Sequence, residues 1–132
     1  MPTQVPPMTK RQYERLSDFR YQLRRFLRYS EEITRRHGMT PLQYQLLLHI
    51  KGFPGRDYAS VSELAERMQA KHHGVVALVT RCEAAGWVER RAGREDRRIQ
   101  YVHLTARGRR SLETLARLHL RELAEWEKRL GA

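Results

Sequence analysis

Residues 60–105 read SVSELAERMQAKHHGVVALVTRCEAAGWVERRAGREDRRIQYVHLT, and the spacing of their apolar side chains decides the fold. Val61, Leu64, Ala65 and Met68 fall at i, i+3, i+4 and i+7, and Val75, Leu78, Val79 and Cys82 repeat the pattern, so each of two short helices carries one apolar stripe. Helices this short and this close in sequence must pack on each other to bury those stripes. Ser60 with Glu63 three positions on forms a capping box at the start of the first helix. Gly86 ends the second, where a residue without Cβ turns left-handed without steric cost. Two strand-like runs follow, Trp87 to Arg91 and Ile99 to Leu104, around the loop Ala92 to Arg98, whose Gly93 permits a turn.

Outward from this core motif, residues 11–37 place Leu16, Phe19, Leu23, Phe26 and Ile33 at steps of three and four, interrupted by Ser30. That spacing predicts one long amphipathic helix with a coiled-coil-like face. Thr40, Pro41 and Gln43 restart a helix with a second capping box and proline at its first position, and Gly52, Pro54 and Gly55 stop it. Beyond the hairpin, Thr105 caps a last helix bearing Leu112, Leu115, Ala116, Leu123, Trp126 and Leu130, with Leu118 and Leu120 widening its apolar surface. Each terminal helix, about 25 residues and so about 38 Å long, exceeds what a domain of this size needs for its own core. Leu16, Phe19, Leu23, Leu112, Leu123, Trp126 and Leu130 are therefore expected to meet a second copy of the chain. The alternative is that the two helices cover each other within one monomer. The predicted organisation is a flexible arm over 1–10, a dimerisation helix over 11–37, a lobe over 40–104 and a second dimerisation helix over 105–132, mainly α with a small β-hairpin wing.

Charge names the class of partner. The 132 residues, enough for one domain, hold 26 Lys and Arg against 15 Asp and Glu, a formal net charge of +11, which calls for an anionic partner. A membrane is a poor fit, because the longest apolar run, Val75 to Val79, is far short of the roughly 20 residues of a span. The opening MPTQVPPMTK is proline-rich without an apolar core, which reads as a mobile arm rather than a signal peptide, so a cytoplasmic location is expected. A single cysteine excludes an internal disulfide framework and suits a reducing compartment. Paired helices, an arginine-studded hairpin and a basic surface together describe a winged helix-turn-helix, a fold that reads duplex DNA.

The run SELAERM, the helix ending LVTRCEAAGWVERR, the acidic-basic loop EDRR and the junction VHLTARG resemble the multiple antibiotic resistance regulator (MarR) family over about residues 13–120. The resemblance implies a dimeric winged helix that represses transcription from a palindromic operator and is often released by a small ligand or an oxidant. It also implies a role for the loop: in the family, an Asp two residues before an Arg holds the guanidinium for minor-groove insertion, and Asp96 with Arg98 has that spacing, Arg94 and Arg97 adding charge. The chain departs from the family's pattern in three ways. Lys71 stands where Ser or Thr commonly begins the second helix of the motif, Gly74 lies inside that helix, and the extra C-terminal helix of many relatives is expected to be missing.

Helical geometry sorts the second helix. With Val75, Leu78, Val79 and Cys82 turned to the core, His73, Ala77, Thr80 and Ala84 point away, flanked by Val76 and Arg81. Lys71, His72, His73, Val76 and Ala77 are thus expected near base edges, where the apolar pair can touch a thymine methyl, and Thr80 and Arg81 near phosphates. Adjacent histidines on a helix cannot both ligate one metal ion, so no metal is expected, and His72 is as well suited to a cap or to solvent. Cys82 occupies a stripe position usually filled by Leu and reads as a small buried hydrophobe rather than a redox sensor. A small-molecule effector remains unidentified; Tyr13, Arg20, Arg24, Tyr44 and His49 are conceivable lining for a family pocket between the long helices and the lobe. No nucleophile–base pair, phosphate loop or metal-ligand spacing is present, which argues against an enzyme and against a cofactor. The competing function is a winged-helix module for protein or RNA, without an effector.

Overall fold

The structure, a computed structural model, describes residues 4–131. Of the expected arm, residues 1–3 lie outside the described residues, and residues 4–9 have no regular secondary structure. Helix α1 (Lys10–Arg36) begins one residue before the expected start, because Thr9 and Gln12 cap it reciprocally. The same device opens α2 (Pro41–Lys51) through Thr40 and Gln43, and α3 (Val61–Met68) through Ser60 and Glu63. In each box a hydroxyl accepts from the backbone N–H three residues on, and the Gln or Glu side chain there accepts from the cap's own N–H.

The hairpin is part of a larger sheet than the sequence suggested. Strand β1 (Tyr58–Ser60) precedes α3 and pairs antiparallel with β3 (Gln100–Leu104), which pairs on its other side with β2 (Val88–Ala92), giving the order β1-β3-β2. A strand of three residues cannot display a period of two, and Ser60 doubles as the cap of α3, so β1 left no sequence signal. Both hairpin strands begin one residue later than expected. Trp87 belongs to the turn, where its N–H donates to the Cys82 carbonyl at 3.0 Å, and Gly86 beside it has φ of 81°.

Helix α4 (His72–Ala84) and α5 (Ala106–Gly131) complete the chain. The core lies where α2, α3, α4, the sheet and the first half of α5 meet, around fully buried Leu46, Leu47, Ile50, Leu64, Val79, Val102 and Leu115. Burying such side chains contributes roughly 1.5–3 kcal/mol each. By contrast α1 is exposed at every residue from Lys10 to Tyr21, and its buried positions, Gln22, Ser30, Ile33 and Thr34, all lie further on. Among the proposed interface residues Leu16, Phe19 and Leu130 are exposed, while Leu23, Leu123 and Trp126 are half-buried. Leu112 is a correction: 4% exposed, it packs in the chain's own core beside Leu115 and has no surface to offer a second copy.

One close approach fixes how α5 leaves the sheet. A Cβ on Gly108 would lie 2.0 Å from the Trp87 carbonyl oxygen, so only glycine lets the first turn of α5 touch that backbone. Thr105 locks the same place: its hydroxyl donates to the Gly86 carbonyl at 2.6 Å and accepts from the Gly108 N–H at 3.0 Å. Gly108→Ala is expected to destabilise the protein by about 2 kcal/mol or more through backbone displacement. Gly74→Ala, where a Cβ meets nothing within 4 Å, should stabilise it by about 0.5–1 kcal/mol. Urea unfolding of the two variants checks this; equal signs would contradict the geometry at Gly108.

Candidate nucleic-acid interface

Helix α4 presents two unlike faces. Val75, Leu78, Val79 and Cys82 are buried against the lobe, and Lys71, His72, His73, Val76, Ala77, Thr80 and Arg81 are all exposed, as the helical spacing predicts. Its N-cap, Lys71, supplies no side-chain hydrogen bond, leaving the first-turn N–H groups pointing outward beside a lysine and two histidines. Those groups carry the positive end of the helix dipole, suited to an anion such as a backbone phosphate. The turn that aims α4 depends on Gln69, which adopts φ of 50° and whose side chain donates to the Glu66 carbonyl at 2.8 Å.

Thr80, expected near phosphates, already has partners within the protein. Its hydroxyl donates to the Val76 carbonyl at 3.0 Å and accepts from Arg90 Nη2 at 2.8 Å, so its one proton is committed inside the protein. Arg90 was missed by the sequence reasoning. The available signal was the strand alternation, which puts position 90 on the same face as Val88, toward α4.

The wing holds its own ion pair. Asp96 Oδ1 accepts from Arg98 Nε at 3.1 Å and from the Arg98 backbone N–H at 3.0 Å, and Oδ2 accepts from Nη2 at 3.1 Å. The fork is bidentate, the geometry in which carboxylate and guanidinium hold one another best. These side-chain and backbone hydrogen bonds from Arg98 hold the Asp96 carboxyl below its ordinary range, and Asp96 in turn holds Arg98 above its own. With 91% of the Arg98 side chain in solvent the pair adds little to stability; what it does is aim the arginine. Arg94 and Arg97 are exposed on the same loop, which is closed by the Gly93 N–H donating to Ile99 O at 2.8 Å.

Comparisons with known proteins agree with this fold. Residues 37–99 match the MarR family, spanning α2 through the wing loop. A protein of Thauera aromatica assigned to transcriptional regulation of the hcr operon is 30% identical over 112 residues, 85% of this chain and 66% of that protein. This chain belongs to the MarR family of transcriptional regulators. Its fold matches AbsC, a MarR-family regulator from Streptomyces coelicolor, at a TM-score of 0.78 and 21% identity, over 92% of this chain and 82% of that one. It also matches a cysteine-to-serine variant of MarR from E. coli, solved with operator DNA, at a TM-score of 0.69 and 22% identity, over 83% and 77% of the two chains.

Away from α4 and the wing, the MarR-family chain carries an open apolar cleft of about 460 Å³ between α1, α2 and α5, walled by Phe26, Leu27, Leu48, Leu120 and Leu123. Of the five side chains suggested from the sequence, Tyr44 borders it; Tyr13, Arg20 and Arg24 stand exposed on α1, and His49 does not line it. The cleft's polar floor was not foreseen. His119, 7% exposed, stacks on Tyr44 at 4.2 Å between centroids, and its Nδ1 donates to Leu115 O at 2.8 Å while its Nε2 accepts from Ser30 Oγ at 2.7 Å. Ser30, the residue that broke the apolar seam of α1, is therefore half of a buried hydrogen bond. In the core, burial pushes the Cys82 thiol up to about 11, so it stays protonated near neutral pH and behaves as the small hydrophobe its position implied. Among the described residues no helix is long and apolar enough to cross a membrane.

Burial holds His119 below its ordinary value of 6.5. Folding therefore favours the neutral ring: its contribution is intact above 6.5 and declines as pH falls through that value toward the lower folded one. Thermal unfolding should show stability falling between about pH 7.5 and 5.5, and His119→Gln should flatten part of that slope. An unchanged slope in the variant would show that the imidazole is not held neutral.

Proposed function

We propose that this chain acts as a homodimeric, sequence-specific repressor that binds a palindromic DNA operator with α4 in the major groove and Arg98 in the flanking minor groove. The observation that carries it is the Asp96–Arg98 fork, formed on an exposed loop beside a helix whose outward face is exposed. A carboxylate on a DNA-facing loop repels phosphate unless it orients a cation, and here it does. Lys71, His72, His73, Val76 and Ala77 are the proposed base-proximal residues, Arg81 a phosphate contact, and Arg94, Arg97 and Arg98 the wing contacts.

The exposed first half of α1 supports pairing of two copies, since Leu16 and Phe19 are 59% and 45% exposed on a helix longer than its own core needs. Half-buried Leu23, Leu123 and Trp126 and exposed Leu130 border the same terminal helices and complete the proposed interface. A small apolar effector in the cleft beside Tyr44 and His119 is proposed to release the DNA. The protein acts in the cytoplasm by binding alone, without catalysis or a cofactor. Two-fold symmetry of the dimer then sets half-sites about one helical turn apart.

Selection from random duplexes tests this: the enriched sequences should be palindromic, and sedimentation should give a dimer. Arg98→Ala should weaken binding to every duplex and make the log-log salt dependence shallower by about 0.9, the value for one fewer cation neutralising phosphate charge. His73→Ala should instead change which sequence is preferred. Enrichment of no motif, with retention of RNA or of a protein bait, would favour an interaction module over a repressor.

A further inference from the structure

Arg90 lies on β2 opposite Val102 of β3, at a register position that faces the lobe rather than solvent. Only 20% of its side chain is exposed, unusual for an arginine in a hairpin this basic. The guanidinium reaches across to α4 and touches it at three places. Nη2 donates to Thr80 Oγ1 at 2.8 Å and to the Val76 carbonyl at 3.2 Å, and Nη1 donates to Glu83 Oε1 at 2.9 Å. The Arg90 backbone N–H donates to the other oxygen of Glu83 at 3.2 Å, so strand and side chain grip the helix together.

From these contacts we infer that Arg90 is a positioning residue for DNA readout, fixing the roll of α4 against the wing so that base contacts and minor-groove arginine engage in one register. This rests on the DNA-binding function proposed above. Two of the three positions it holds, Val76 and Thr80, are on the outward face of α4, about one and two turns beyond the histidines. The helix needs such a hold. Its N-cap lacks a side-chain bond and Gly74 weakens its first turn, so the exposed half gains little from its own propensity. Apolar packing by Val75, Leu78 and Val79 is non-directional and tolerates rotation, whereas a planar fork with three fixed acceptors does not. A lysine keeps the charge and loses the fork, since an ammonium is a point donor without that planar geometry.

The experiment compares R90K and E83Q with the unmodified protein on the duplex enriched by selection and on a scrambled duplex of the same composition, across a salt series. In R90K the preference for the enriched duplex should fall by about tenfold or more while affinity for the scrambled one stays within about twofold and the salt dependence is unchanged. E83Q, which leaves Arg90 on Thr80 and Val76, should lose preference in the same direction but less. Equal losses on both duplexes, with a salt dependence shallower by about 0.9, would instead make Arg90 a phosphate contact and overturn the inference. So would an unchanged preference in both variants. Amide exchange in the free protein reads the same hold without DNA. In R90K the outward turn from Val76 to Thr80 should exchange about tenfold faster while Val102 keeps its protection, and equal protection in both proteins would overturn the inference even where the DNA-binding proposal fails on its own selection.

Discussion

The contact between Gly108 and the Trp87 backbone is the constraint on which the other parts of this molecule depend. Three elements converge there: the end of α4 at Gly86, the root of β2 at Trp87 and the first turn of α5. The Thr105 N–H donates to the Trp87 carbonyl at 3.0 Å while its hydroxyl bridges Gly86 to Gly108, so three directional bonds and one steric condition meet within a few residues. Hydrophobic burial alone would let α5 approach the sheet over a range of angles. The missing Cβ and the threonine reduce that range to one, and with it fix where the wing projects relative to α4.

The same helix then runs to the cleft. His119 lies thirteen residues beyond Ala106, about 20 Å along α5 at the ordinary helical rise. There α5 meets α1 through Ser30 and α2 through Tyr44, around an imidazole whose two nitrogens are both engaged. A buried polar pair of this kind is costly to break, because either partner alone would be left unsatisfied in apolar surroundings. It fixes the register of the crossing helices more sharply than leucines do. An occupant of the cleft can affect the wing only by binding two arrangements of α5 unequally. The structure offers one rigid helix touching both places.

Much of this architecture was legible because it rests on local rules. Capping boxes at Thr40 and Ser60, the stripe of α4 and the glycine at its end all follow from spacings within one or two turns, and the outward face of α4 follows from the stripe by subtraction. What escaped was non-local or too short to have a period. β1 is three residues and exists because β3 offers it an edge. Leu112 resembled its interface neighbours in sequence, and only the packing of the folded chain turns it into core. Ser30 looked like a defect in a seam until His119, eighty-nine positions away, supplied its partner. Arg90 was hidden among neighbouring arginines, although the strand alternation already distinguished it from Arg91.

That distinction bears on how a strongly basic chain uses its charge. Its arginines fall into groups set by the acids beside them. Arg56 pairs with Glu63 and lies over Phe53 and Tyr58, with centroids at 4.4 and 5.1 Å, so it belongs to the packing at the start of α3. Arg90 is bound to Glu83 and shapes the helix it touches. Arg98 is bound to Asp96 in open solvent, where the pair contributes little to the fold and much to the direction of a single guanidinium. Arg94 and Arg97 add field without a fixed geometry. A surface built only of the last kind would attract any polyanion with similar strength, since charge alone carries no sequence information. The carboxylates Glu83 and Asp96 lower the net charge, yet they convert two of the arginines from general attraction into defined directions, one inward to the helix and one outward from the wing.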